Sequence, residues 1–574
     1  MKTQRSFTVV LALMVLLLFK LIAPTTSQTG TIILQKLPGS IHDFTGLPLT
    51  EDGWTDFEAM IRDGYDDARV VFVSSSEGND STGQVYGISD ITFDVAGMFQ
   101  PRSAVNAYKT IAQGYSQIRD GYPDILLLKR GDEWEEAFNV NSVGRWGKSG
   151  RSSTERAILG SYGSGARPTL LIGNGTGFVP YYASNLIVSG IRFYSHTWEI
   201  ETPSRAFNLA ISGQSDYLIE DCVAERNVNR LQSFQRVAFR RNHFIEGHPG
   251  SLVAKIYVFN GQNLLLEENI FYSPVEKNRH LYLSSPSFGP ILGMITKNNI
   301  FYTSRRTGLS HRTDGVIDNN LIVRNDQVVV GGAGGSKDEI KSAQVSNNVF
   351  LESVPDSAGD GEYSIKLQNN DGTSIYGNIW TDPTGITSSS YAIMISGDTD
   401  VHIARNIDIH DNIVYGWHVQ GTASRVLSTS SSFTDVQNVN IFDNDFQMTN
   451  GGSNIIRHQT WDDGANRFEG YTYSNNRYYG AMPESDWFAS FSSFAEWVAA
   501  SGDTGSETTQ VSYTDASRTL KTYNQSLGGS ASTEEFMLEA LKQARYNWRA
   551  EYTACAVNNY IRAGFDKESI ECVF

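Results

Sequence analysis

Nine short phrases in this chain each carry an asparagine between an apolar, alternating lead-in and an apolar or aromatic pair: RRNHF, EENIF, KNNIF, DNNLI, SNNVF, YGNIW, HDNIV, FDNDF and SNNRY. The asparagines are Asn242, Asn269, Asn299, Asn320, Asn348, Asn378, Asn412, Asn444 and Asn476, spaced by 27, 30, 21, 28, 30, 34, 32 and 32 residues. A period of this size points to stacked repeat units. Val345, Asn348, Val349 and Phe350 show the pattern of each unit: strand, turn, strand. Asparagine tolerates the left-handed backbone of a sharp turn, and its amide can bond an identical amide one coil above. The row therefore reads as an internal ladder at one turn of a parallel β-helix, with members about 4.8 Å apart. Cys222 in EDCVA and Gly190 in SGIRF are placed on the same row. These residues are read as scaffold.

Composition fits a turn-dense all-β solenoid: 574 residues with 52 Gly, 15 Pro and 40% hydrophobic content leave ample material for a long core. The expected fold is a right-handed parallel β-helix, since parallel crossovers are right-handed in nearly all cases. Four segments are expected. Residues 1–27 read as a signal peptide, 28–119 as an approach segment and cap, 120–480 as the coil array and 481–574 as a C-terminal tail. Within the second, AVNAYKTIAQGYSQI (104–118) has helical apolar spacing and would close the open end of the solenoid. Within the tail, STEEFMLEALKQARYNW (532–548) opens on a capping residue and an acidic first turn, which predicts a helix packed on the last coils or forming a C-terminal cap.

The N-terminus has Lys2 and Arg5, then the apolar run Phe7 to Phe19, then TTSQ, the layout of a secretion signal. The run is too short to span a bilayer comfortably, so cleavage near Ser27 and a secreted or periplasmic monomer without stable membrane insertion are expected. Residues 1–27 hold three basic and no acidic side chains, so cleavage takes the net charge from −17 to −20. A chain this acidic is not built for nonspecific nucleic-acid binding. Cys222 is expected to be buried and inert. Cys555 and Cys572, 17 residues apart in the tail, are expected to form a disulfide in an oxidising compartment. CxxC, HExxH, GxSxG and P-loop patterns are absent, which excludes zinc protease, serine hydrolase and NTPase readings at the level of motif.

The order VFVSSSEGND, KTIAQGYSQIRDG, DILLLKRGDEW, then Asn-marked coils, resembles secreted right-handed parallel β-helix proteins of the class that holds pectate lyases, alginate and chondroitin lyases and several glycoside hydrolases. The opening module covers about 70–134 and the repeats about 185–480. The resemblance implies the fold; the scaffold serves lyases, hydrolases, epimerases, tailspikes and adhesins alike. It also implies a basic pair on adjacent coils. SRRTGLSHRTDGVIDNN is similar to the arginine-bearing coil, with Arg312 eight residues before Asn320, whereas the matching lysine is replaced by HLYLSSPS with His280 and Tyr282. The DPHE motif of alginate epimerases is absent.

Strand alternation offers candidates independently, because alternate residues face opposite sides. With Leu281 and Leu283 inward, His280 and Tyr282 face out; with Leu309 inward, Ser310 and Arg312 face out; with Ile365 and Leu367 inward, Lys366 faces out; NIIRHQT turns Arg457 or His458 out. A row of His280, Tyr282, Arg312 and Lys366 would span about three coil steps, on the order of 15 Å. His311, Arg457 and His458 join it as substrate contacts. Such a basic and aromatic row on an acidic chain suits an acidic, uronate-containing polysaccharide. Its eliminative cleavage needs a base for the proton beside the carboxylate and a cation, arginine or calcium, for the charge that develops. A glycosidase needs two carboxylates about 5 to 9.5 Å apart, for which Asp314, Asp318, Glu362 and Asp371 are candidates. A noncatalytic binder would stack sugars on Trp380, Trp417 and Tyr415.

Overall fold

A computed structural model describes residues 41–572 except 63, 198–203, 210–213, 247–253, 275–278, 284–290, 304–306, 312–313, 325–326, 332–341, 353–361, 383–389, 398–402, 418–424, 430–432, 434 and 459–467. The expected signal peptide and Arg312 lie outside the described residues.

Three ladders wind together into a parallel β-helix. Sheet 1 contains 18 strands, its parallel ladder running from Val70–Val73 through Ile125–Lys129 to Tyr471–Ser474. Sheet 2 contains 13 strands, from Glu133–Trp134 to Arg477–Gly480, and sheet 3 contains 11, from Thr176–Phe178 to Asn454–His458. The array begins at Val70, before the expected boundary near 120, because Val70–Val73 pairs in parallel with Ile125–Leu128. Its interior is one continuous apolar core, in which flat ring stacks such as Phe244–Phe271–Phe301 (4.8 and 4.7 Å) and Phe350–Trp380 (4.8 Å) repeat from coil to coil.

The paired asparagines of the repeat have two separate jobs. The residue before each ladder asparagine takes the left-handed conformation: φ is 57° at Asn298, 50° at Asn319 and 58° at Asn347, and Arg241, Glu268, Asp411 and Asp443 adopt it as well. The next residue turns inward. From Asn242 to Asn444 each ladder side chain donates to the oxygen of the one below, Asn299 to Asn320 and Asn320 to Asn348 at 3.0 Å, for example, and that oxygen also accepts the backbone N–H above. Asn320 donates its second amide hydrogen to the Thr296 carbonyl, so the buried amide is satisfied on both sides. Cys222 does share this row, its N–H donating to Asn242 Oδ1. Gly190 sits one position earlier: Ser189 pairs with Glu220, so Gly190 (φ 73°) shares the left-handed row with Asp221.

Both ends are closed. The helix expected over 104–118 is confined to Ile111–Ser116, capped by Thr110, because Asn106–Tyr108 is drawn out to hydrogen-bond with Phe72, Ser74, Asn79 and Gln84. Gly114 lies against Val71, Val73 and Leu126, and a Cβ there would come within 2.5 Å of Val73. At the far end Phe488 and Trp497 of the tail cover Tyr473 and Tyr478, and Ser506 Oγ accepts from the Asn476 N–H, ending the ladder.

The tail then doubles back. Helices Leu520–Ser526, Thr533–Ala540 and Ala554–Gly564 lie along the outer face of sheet 2, where Leu520, Phe536, Met537, Val557, Ile561 and Phe565 bury Ile300, Leu321, Val349, Leu351, Ile379 and Ile413. The helix expected to run to Trp548 stops at Ala540, and the chain beyond it drops onto the early coils, where Arg545 pairs with Glu220 and Trp548 meets Trp54 edge to face. Cys555 and Cys572 are bonded, as expected, with Cα atoms 5.8 Å apart. Cys222 is free and buried. Among the described residues no helix is long and apolar enough to cross a membrane.

Candidate functional site

One of the three outer surfaces is largely occupied, and a second is covered over its first coils. Sheet 2 lies under the tail, and the first coils of sheet 1 lie under residues 41–68, which reach Arg156 and Arg240 through backbone carbonyls. Strand register aligns one column of sheet 3, partly exposed at Tyr257, Lys366 and Arg457 and buried at Ser310 and Ser428. Tyr257, Tyr282, Ser310, Val329, Lys366, Met394, Ser428 and Arg457 are successive partners in one column. The register thus places Tyr282, Lys366 and Arg457 in line.

It does not place the histidines with them. His280 is fully buried, as is its neighbour Leu281. The chain enters this strand from the corner between sheets 2 and 3, so two consecutive side chains turn inward and strict alternation fails. The His280 ring packs 5.9 Å from Phe271 and 5.8 Å from Phe301, and its Nδ1 lies 3.2 Å from Lys255 Nζ. Lys255 also donates to the Tyr272 carbonyl and Ser273 Oγ. Burial holds both the lysine and the imidazole well below their usual ranges, with the Lys255 charge adding to the effect on His280. His311 and His458 stand in the inward column with Val330, Leu367 and Ile395, both buried. His458 packs on Phe468 and lies 3.1 Å from Tyr473 Oη. None of the three histidines can touch a polymer on the outer face.

The proposed sugar-stacking rings are also buried or covered: Trp380 and Trp417 are core residues, and Tyr415 packs against Tyr513 and Phe565 of the tail. Of the carboxylates considered for hydrolysis, Glu362 opens a sheet 3 strand, whereas Asp314 adjoins the sheet 1 strand Gly315–Asp318 and the other two lie in sheet 1. Asp318 and Asp371 belong to sheet 1, Asp318 accepting from Ser346 and Asn347 and Asp371 from Asn406.

What the outer face of sheet 3 does assemble is a cluster around Lys366 and Arg457. Tyr363, Tyr391, Arg425 and Asn454 form the neighbouring column at the strand entries. Tyr363 and Tyr391 stack with centroids 5.1 Å apart, and Lys366 Nζ lies 5.3 Å from the Tyr363 ring. Arg425 Nη1 donates to Tyr391 Oη at 2.9 Å, and Arg457 Nη1 lies 3.5 Å from the same oxygen. Burial, joined by the nearby Arg457 charge, lowers Arg425 from its usual value, against the pull of Tyr391. A guanidinium retains its proton through such a shift. Farther up the face, Arg230 lies over Phe259 (4.8 Å), which stacks with Tyr257. The described sheet 3 strands contain one acidic residue, Glu362, which opens the strand Glu362–Gln368 and whose side chain lies outside the described residues. Among the described residues no group of three His, Cys, Asp or Glu could hold a metal.

Tyr363, Tyr391 and Arg425 escaped the sequence reading because they precede the core residues by two positions, at the corner where alternation is least informative. Their signal is the repeat itself: aligned on Ile365, Ile393 and Leu427, they fall in one column.

Neither a protein-family model nor a curated protein matches the chain. Solved structures similar to it include the PL6 family alginate lyase AlyGC, at 14% identity and a TM-score of 0.43 over 71% of this chain and 53% of that one. The tailspike protein of E. coli bacteriophage HK620 in complex with pentasaccharide is similar at 12% identity and a TM-score of 0.40, over 78% and 84% of the two chains. A GH136 lacto-N-biosidase from Eubacterium ramulus is similar at 12% identity and a TM-score of 0.32, over 67% and 68%. The chain spans about half the length of the alginate lyase.

Proposed function

We propose that the outer face of sheet 3 binds an acidic, uronate-containing polysaccharide outside the cell and cleaves it by β-elimination. The observation that carries this reading is compositional and local. On a chain with a net charge of −17, this face brings together Lys366, Arg425 and Arg457 with two stacked phenols. Desolvated guanidinium groups suit a carboxylate through fixed, charge-assisted hydrogen bonds, and phenol faces suit sugar rings.

In elimination a base removes the proton beside the carboxylate, the electrons form a double bond, and the bond to the leaving glycosidic oxygen breaks as that oxygen takes a proton. Arg425 and Arg457 would neutralise the uronate and the charge that develops on it. Tyr391 accepts hydrogen bonds from guanidinium nitrogen, which leaves its own O–H to donate to the leaving oxygen. Tyr363, stacked beside it, would take the proton. Lys366, on the same strand as Tyr363, would hold the polymer beside the reacting groups. His280 has no part in the chemistry.

Purified protein incubated with a panel of uronate and neutral polysaccharides, followed at 235 nm and by reducing ends together, tests the reading. Absorbance rising with reducing ends supports elimination. Reducing ends alone mean hydrolysis; neither signal with retained binding means a noncatalytic module; both outcomes overturn the proposed reaction.

A further inference from the structure

A second feature lies on the opposite side of the early coils, where the N-terminal segment, the tail and the array meet. Arg241 is almost completely buried, its guanidinium held between two indoles, 4.4 Å from the Trp54 ring and 3.9 Å from that of Trp548. Its Nε donates to Glu268, but Nη1 and Nη2 have no acceptor within reach, and neither does the buried Nε1 of Trp54. Both residues line a narrow cavity with His243, Glu268, Gln543 and Trp548, with room for about one water-sized occupant.

The charges around it do not balance. Arg240, Arg241, Arg545 and Lys297 are linked by ion pairs to only three carboxylates, Glu220, Glu267 and Glu268. Glu268, the one acid lining the cavity, is already shared by Arg240 and Arg241 at 2.9 and 2.7 Å. Burial first, then the like charge of Arg240, push Arg241 down to about 10, as expected for a cation lacking full compensation. His243, depressed to about 3 by burial and by Arg167, is neutral at physiological pH and adds no charge. Unpartnered buried donors carry an uncompensated desolvation cost, larger when charged. The occupant that answers both deficits accepts hydrogen bonds only and carries one negative charge.

We propose that this cavity is a binding site for a small monovalent anion, of the size and charge of chloride, which clasps the N-terminal segment and the tail onto the coils. A water would satisfy donors without correcting the charge. The site is remote in kind and position from the sheet 3 face, and its test does not depend on catalysis.

Crystals of the full chain grown or soaked in sodium bromide should show an anomalous peak within hydrogen-bonding distance of Arg241 Nη1 or Nη2 and Trp54 Nε1. In solution the melting temperature should rise saturably with sodium chloride but not with sodium gluconate at equal ionic strength. Trp54→Phe, which keeps an aromatic ring and removes the donor, should weaken that chloride dependence. A bromide map without a peak in the cavity, or thermal curves that follow ionic strength whatever the anion, would overturn the proposal in favour of water. Should the variant fail to fold, the bromide map and the wild-type salt series still decide.

Discussion

Sheets 2 and 3 are wound from the same coils yet present opposite outer surfaces. The sheet 2 strands beneath the tail helices include three-residue apolar phrases such as LIV (321–323) and VFL (349–351): the middle residue faces the core and the flanking two meet the tail. A strand apolar on both sides belongs in a sheet buried on both sides. The sheet 3 strands carry arginine, lysine and tyrosine at outward positions, and the tail helices that cover sheet 2 do not pack on them; the tail bonds this sheet at its last strand, Asn454–His458. A solenoid can therefore divide its labour by face, one side giving stability and another recognition.

The largest effect should come from making the covered face resemble the open one. Val349→Asp would bury an unpaired carboxylate between sheet 2 and the tail, at a cost of several kcal/mol, and should abolish the folded, soluble protein, as thermal melts and size exclusion would report. Arg425→Ala on the open face should instead lower turnover about 10²- to 10³-fold with little change in melting temperature. Equal loss of stability in both variants would erase the distinction. Reducing the Cys555–Cys572 bond, which closes a loop of 17 residues, should cost about 3 kcal/mol by loop entropy, loosening the strap; denaturant midpoints with and without reductant would measure it.

Acid should act on the covered face first. His243 shares the outer column of sheet 2 with Ile270, and burial holds it near 3, below the ordinary value of 6.5. Between those values the unfolded chain binds the proton and the folded one does not. The histidine's contribution is thus complete above about pH 6.5 and is lost toward pH 3, at up to about 1.4 kcal/mol per pH unit. His243→Val should flatten stability against pH in that window. The smallest effect is assigned to Lys366→Ala, which should weaken polymer binding a few-fold, the scale of an exposed ion pair, with turnover of bound substrate nearly kept. A turnover loss as large as that of Arg425→Ala would move Lys366 into the reacting centre.

The coil architecture was legible because each ladder asparagine is specified locally, and a period survives wide changes in loop length. What remained hidden was that DNN and SNN contain two functions, a left-handed turn residue and a ladder residue, which a one-dimensional pattern superimposes. The site was legible only in mid-strand. Lys366 and Arg457 follow from alternation about Ile365 and Ile456, whereas His280 and the Tyr363, Tyr391 and Arg425 column sit where the chain rounds a corner and side-chain phase resets. His311 and His458 were already in phase with inward leucine and isoleucine; chemical attractiveness outweighed geometry in naming them.

The strap has a consequence for how such a chain can lengthen. A solenoid whose coils touch only their neighbours can gain or lose a coil by duplication or deletion without disturbing the rest. Here the tail is fastened at fixed stations: Tyr513 to Asp445, Lys521 to Asp382, Thr533 to Glu352, Arg545 to Glu220, Asn558 to Asn319 and Lys567 to the Asp411 carbonyl. One extra coil would move the far stations by about 4.8 Å, out of register with helices whose own spacing had not changed. The tail thus works as a gauge: it turns an open-ended polymer of coils into an object of set length, and inheritable change is directed into the connections between strands instead of the number of turns.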